Sequence, residues 1–229
     1  MVEILFLDLD DTILDFKKAE RIAISKTIGD FGLEPTEKAL HRYHLINKWH
    51  WEQMELGKLT RPEVLQNRFE VLFAEFGKTV DKAACAKRYE ENLSIGHYFL
   101  EGAEETVAYL SEQYRLFLTS NGTASVQKGR MTSANLYRFF EQVFVSQEIG
   151  HNKPSKEYFD GCIARISGFD PAKTMIVGDS LSSDIKGGIN AGIHTCWINP
   201  DHVPGREDIR PEYEIEYLRQ LPALLDSLK

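Results

Sequence analysis

Asp8-Leu9-Asp10-Asp11-Thr12 follows a short apolar run near the start of the 229-residue chain and sets Asp8 and Asp10 two residues apart. At a strand end, side chains at i and i+2 share a face, so the two carboxylates crowd each other. Crowded carboxylates repel, and a hard divalent cation relieves that repulsion. A second acidic segment, Gly178-Asp179-Ser180-Leu181-Ser182-Ser183-Asp184, also follows an apolar run. In an open parallel sheet ligands bind beyond the carboxyl ends of the strands, where loops distant in sequence converge. Asp8 and Asp179 are therefore expected to share one ion. Mg²⁺ takes few protein carboxylates and completes its octahedron with waters and substrate phosphate, so the pair implies a phosphorylated substrate.

A phosphate needs donors and positive charge as well. Ser120-Asn121-Gly122 offers a hydroxyl, an amide and a glycine-opened backbone, and Lys153 stands in His151-Asn152-Lys153-Pro154-Ser155. Singly, these residues read as an acidic turn, a helix cap and a solvated lysine. Their shared placement after apolar runs assigns them to one site.

That placement depends on the elements beneath. Ile4–Leu7, Arg115–Leu118, Gln142–Val145, Thr174–Val177 and His194–Ile198 read as strands, most of them continuous apolar runs of the buried parallel kind. Helical patterns at Ala103–Gln113, Thr123–Leu136, Lys156–Ser167 and Ser182–Ala191 alternate with them. The fold class expected is α/β, a doubly wound parallel sheet. From about Asp15 to Tyr98 the alternation stops, and four helical stretches occur with no convincing strand. One opens at Thr60-Arg61-Pro62-Glu63, a capping box, and stops at Gly77. The expected organisation is a core of residues 1–14 and 99–229 with a helical lobe, 15–98, inserted above the acidic loops.

Composition excludes other classes. With 42% hydrophobic residues the chain can bury a core, and 27 basic against 35 acidic residues leave a net charge of −8, which argues against nucleic-acid polymers and anionic membranes. Cys85, Cys162 and Cys196 form neither a disulfide framework nor a zinc site. No apolar stretch reaches the length of a membrane span and no basic leader precedes the first strand, so a cytoplasmic protein is expected.

The ordered segments Asp8-Leu9-Asp10-Asp11-Thr12, Ser120, Lys153 and Gly178-Asp179 through Asp184 resemble the four motifs of the haloacid dehalogenase-like superfamily. The resemblance spans the core and implies Asp8 as a nucleophile forming an aspartyl-phosphate, with Asp10 as general acid and base. It implies that Lys153 neutralises the transferring group, that Ser120, Asn121 and nearby backbone N–H groups hold its oxygens, and that Asp179 ligates Mg²⁺ with Asp8 and the Asp10 carbonyl. Asp184 and Thr12 are the orienting residues, with Asp184 acting on Lys153 or a metal water. Simple dehalogenases of the superfamily lack the second acid, so Asp10 favours phosphoryl transfer.

The inserted lobe is similar to C1-type caps, and Tyr43 through Trp51, Glu55–Thr60 and Asn67–Glu70 resemble those of bacterial pyrimidine 5′-nucleotidases. That implies a nucleoside 5′-monophosphate such as UMP, dUMP or dTMP as the small-molecule partner. Asn47, Lys48, Trp49 and Arg68 are the candidate substrate contacts, with Trp51 as an alternative stacking face. Packing between cap helices competes as the role of both tryptophans, and His41 and His44 lack a third metal ligand. A sugar-phosphate or phosphoglycolate phosphatase or mutase is the alternative within the superfamily. A phosphoacceptor signalling receiver is the alternative of another class, though it would have no helical lobe.

Overall fold

The computed structural model describes all of residues 1–229. The chain opens with β1 (Ile4–Leu7), then runs through four helices, α1 (Phe16–Asp30), α2 (Glu37–Glu55), α3 (Arg61–Glu75) and α4 (Lys82–Leu93). It re-enters the sheet layer with α5 (Ala103–Ser111), β2 (Arg115–Ser120), α6 (Ala124–Ser133), β3 (Gln142–Val145), α7 (Ser146–Ile149) and α8 (Lys156–Ile163). It ends with β4 (Thr174–Gly178), a π-helical turn (Leu181–Ile185), α9 (Lys186–Ala191), β5 (His194–Ile198), β6 (Tyr213–Ile215) and α10 (Leu221–Ser227).

All six strands are parallel in the order β3-β2-β1-β4-β5-β6, which confirms the doubly wound sheet. Alternation along each strand divides the apolar side chains between two faces. Leu5, Leu7, Leu116, Leu118, Met175 and Val177 pack with α5 and α10, while Ile4, Phe6, Phe117, Phe144 and Ile176 pack with α8. Phe6 sits among the rings of Phe117, Phe144, Phe159 and Phe169 at centroid distances of 5.9–6.5 Å. Burying such a side chain stabilises the fold by about 1.5–3 kcal/mol.

β6 was not expected, because three residues of one short exposed-buried pattern carry too little periodicity to read. The expected helix at Ser182–Ala191 is divided into the π turn and α9, since the turn must carry Asp184 back towards the strand it has just left.

The four helices of the insert have their own core, with Ile24, Ile28, Tyr43, Phe69, Leu72, Phe73 and Tyr89 fully or almost fully buried. Their starts are fixed by side chains. Asp15 accepts from the Lys18 N–H, Thr36 from Ala39, and Asp81 from Ala83 and Ala84. At Thr60 the Glu63 carboxylate accepts from both the backbone N–H and the hydroxyl. The two chain crossings lie side by side, joined by the Asp15 N–H to the Tyr98 carbonyl at 2.7 Å and by a bridge between Leu14 and Phe99. No helix is long and apolar enough to cross a membrane.

Candidate active site

Strand register builds the site floor. Leu7 of the central β1 pairs with Leu118 and Val177, so the next residues, Asp8, Thr119 and Gly178, emerge at one level. Lys153, delivered by the loop after α7, reaches this level with its whole stem buried. Its ammonium donates to Asp8 Oδ1 at 2.7 Å, Asp184 Oδ1 at 2.6 Å and the Thr119 carbonyl at 3.0 Å. Three acceptors match its three N–H groups. Burial alone would disfavour the charge, but Asp184 and Asp8 outweigh it and raise the amine above its ordinary value.

Asp8, Asp179 and Asp184 each offer an oxygen within 4.8 Å of the others. Burial pushes the Asp8 carboxyl up to about 8 against the pull of Lys153, with Asp184 and Asp10 adding repulsion. Burial also raises Asp179, and Asp8 and Asp184 raise it further. Asp179 has no ion pair of its own. Closely set, desolvated oxygens with one shared lysine suit a small hard divalent cation, so the donor set fits Mg²⁺. The indole N–H of Trp197 holds the Asp179 carbonyl at 2.8 Å and fixes that loop.

The remaining expected residues differ in what their hydrogen bonds leave free. The Ser120 hydroxyl oxygen accepts from the Gly122 N–H at 3.0 Å and from Gln127 Nε2 at 2.7 Å, which leaves its own proton free to donate. The Asn121 amide, expected to hold phosphate, instead exchanges two 2.9 Å bonds with the backbone of Lys153 and ties the two loops together. Its backbone N–H and the second Nδ2 hydrogen remain without a partner. Thr12 does not orient anything by hydrogen bonding, because its buried hydroxyl has no partner. The Asp10 carboxylate lines the same cavity as the other acids but is held from α6, where Arg130 and Gln127 grip it. Asp11 adopts a left-handed φ of 55°, which Asp tolerates, and caps the start of α1 through the Phe16 N–H.

A cavity of about 270 Å³ stands over the floor. Its roof is made by Trp51, Glu55, Leu65, Arg68, Tyr89 and Leu93 of the insert. Arg68 lines it as expected, its guanidinium 4.8 Å from the Tyr89 ring centre and bonded to the Asn47 amide oxygen at 2.6 Å. Asn47 is buried inside the lobe between Arg68 and Glu20 and does not line the cavity. Trp49 is 52% exposed and points away, and Lys48 is exposed on an outer cleft; the helical turn presents Trp51 to the cavity in their place.

Residues not anticipated join lobe to core. Arg61 donates to the Asn121 and Gly122 carbonyls at 3.1 and 3.3 Å, to Ser146 Oγ at 2.8 Å and to Asn152 Oδ1 at 2.9 Å. Glu55 accepts from Ser182 at 2.7 Å. Arg61 sits in the first turn of a capped helix, where sequence shows a helix start but not what it faces. Gln127 and Arg130 share one face of α6 at i and i+3, but nothing in the sequence says that this face meets Asp10.

The profile of the haloacid dehalogenase-like hydrolase family matches residues 4–198. The chain belongs to this family. The hydrolase is 40% identical over 222 residues to a protein of Bacillus subtilis named as the HAD-hydrolase YfnB, covering 97% of this chain and 94% of that one. It is 35% identical over 224 residues to the pyrimidine 5′-nucleotidase PynA of Streptococcus pneumoniae, covering 97% and 94%. The magnesium-bound crystal structure of YfnB, which reveals interdomain movement, superposes with a TM-score of 0.95 over 98% of this chain and 99% of that chain. The hydrolase is thus an enzyme on the α/β fold described above, with a helical insert.

Proposed function

We propose that this hydrolase is a Mg²⁺-dependent phosphatase of nucleoside 5′-monophosphates that prefers pyrimidines, UMP, dUMP and dTMP. The observation that carries the reading is the joining of Asp8, Asp179, Asp184 and Lys153 at the floor of a cavity with an aromatic and guanidinium roof. A phosphoester seated on the floor would extend its nucleoside towards Trp51, Arg68 and Tyr89, which offer flat faces and a donor. The similarity to PynA supports the same substrate class. Residues 15–98 act as the cap, and 1–14 with 99–229 as the catalytic core.

Lys153 holds Oδ1 of Asp8, which leaves Oδ2 to attack phosphorus. As the phosphorus–oxygen bond to the 5′-carbon side breaks, Asp10 gives its proton to the leaving oxygen, and the phosphoryl group is left on Asp8. Water then attacks that phosphorus, its proton passes to Asp10, and Asp8 is regenerated with release of inorganic phosphate. Ser120 and the Asn121 backbone N–H donate to the phosphoryl oxygens, while Lys153 offsets their charge. Asp8, Asp179 and the Asp10 carbonyl would hold Mg²⁺, which supplies further neutralisation of the transferring group.

Phosphate release measured across nucleoside monophosphates and small sugar phosphates, with and without chelator, tests this reading. Pyrimidine monophosphates should lead and chelator should stop turnover. A sugar phosphate that outruns UMP, dUMP and dTMP would reverse the substrate assignment, and indifference to chelator would remove the metal.

A further inference from the structure

Arg130 is fully buried on α6, behind the cavity wall rather than on it. Its guanidinium pairs with Asp10 Oδ1, and Gln127 one turn earlier donates from Nε2 to Asp10 Oδ2 at 2.6 Å. Both oxygens of one carboxylate are therefore gripped by a single helix face. The same Gln127 nitrogen bonds Ser120 at 2.7 Å, so the grip is indexed to the residue expected to hold phosphate.

The guanidinium is anchored from behind. Its Nε donates to the Gly96 carbonyl at 2.9 Å, in the segment where the chain returns from the cap, and it lies 5.7 Å from the ring centre of Phe16, where the chain leaves for the cap. At Gly129 a Cβ would come within 2.7 Å of the Ser94 carbonyl oxygen, so α6 packs directly on that returning segment. The position of Gly96 relative to Arg130 is thereby fixed.

Stability does not explain this arrangement. Arg130 Nη2 is buried with no partner, and an unsatisfied buried donor is a cost. Apolar replacement of both partners of a buried ion pair is often neutral or stabilising, so the pair need not be there to hold the fold. We propose that Arg130 is a positioning residue, which orients the Asp10 carboxyl for proton transfer by clamping it, with Gln127, to the cap linker and to Ser120. The proposal rests on the phosphatase reading above and adds to it a residue outside the four motifs.

The test compares kcat/KM on UMP with kcat/KM on para-nitrophenyl phosphate in wild type, Arg130→Met and Arg130→Lys. The 5′-alkoxide of UMP must be protonated as it leaves, whereas nitrophenolate leaves without a proton. General acid catalysis contributes about 10²–10⁴-fold, so R130M should lose at least about tenfold more on UMP than on the aryl ester, beside a fall in Tm from the Asp10 carboxylate left without its cation. R130K keeps a buried cation but has no planar fork to span Gly96 and Asp10, and should show a smaller loss of the same selectivity. If R130M does not fold, R130K carries the comparison. Equal losses on the two esters, or none, would overturn the clamp while leaving the phosphatase intact. A wild-type protein that hydrolyses neither ester in the presence of Mg²⁺ would overturn the phosphatase reading and the clamp together.

Discussion

At the scale of single residues the site is a problem of unbalanced charge. Lys153 answers Asp8 and Asp184, but Asp179 has no cation of its own, and burial keeps water from screening the repulsion. Asp8→Asn removes both a nucleophile and a buried charge. Turnover should fall by about a thousandfold or more, with Tm held or raised; residual activity close to wild type would exclude Asp8 as the attacking group. The same imbalance predicts a pH effect. With the Asp8 carboxyl raised to about 8, the folded metal-free protein keeps a proton that the unfolded chain has released, so its stability declines as pH rises towards 8. A divalent cation offsets the repulsion once the protons have gone. Thermal melts should therefore show a larger Mg²⁺-induced rise in Tm at pH 8 than at pH 6, reversed by chelator, and equal shifts at both would contradict the shared-ion site.

At the scale of elements, the strand ends are spaced by backbone contact. Gly178 closes β4 directly against the Asp184 side chain, so that an added Cβ would overlap the carboxylate, which is itself held by Lys153 and the Ser180 N–H. The carboxylate cannot move aside without breaking those bonds. Gly178→Ala should destabilise the fold by about 1–3 kcal/mol in denaturant melts and weaken Mg²⁺ binding at the same time. Loss of stability with unchanged Mg²⁺ affinity would show that the π turn adapts independently of the metal floor. The turn itself is the means by which a five-residue segment returns Asp184 to the level of Asp8, since a regular helix from Ser182 onward would carry it away from the floor.

At the scale of the whole molecule, lobe and core meet through few but strong contacts. Arg61 makes four bonds, to the Asn121 and Gly122 carbonyls, to Ser146 at the start of α7 and to Asn152, and Glu55 accepts from Ser182 of the core. Hydrogen bonds from a charged donor contribute about 1.5–3 kcal/mol, enough to shift an open–closed balance by about tenfold or more. Arg61→Ala should raise the radius of gyration in solution scattering and raise KM more than it lowers kcat. An unchanged radius with unchanged KM would mean that the apolar roof alone keeps the cavity closed.

The chain order of acids, hydroxyl and lysine, each following a buried apolar run, was sufficient to specify the α/β sheet, the helical insert and the candidates Asp8, Asp179, Ser120, Lys153 and Asp184, because a parallel sheet places every strand's carboxyl end on one side. Caps such as Thr60 with Glu63 were legible for the same local reason. Side-chain direction within the lobe was not. Asn47, Lys48, Trp49 and Trp51 lie within two turns of one helix, and only the packing of α2 against α1 and α3 decides that Trp51 meets the cavity while Trp49 meets solvent. Arg61, Gln127 and Arg130 were hidden for a like reason. Their partners lie 60 to 120 positions away for Asn121 and Asp10, and such long-range pairings leave no trace in local spacing.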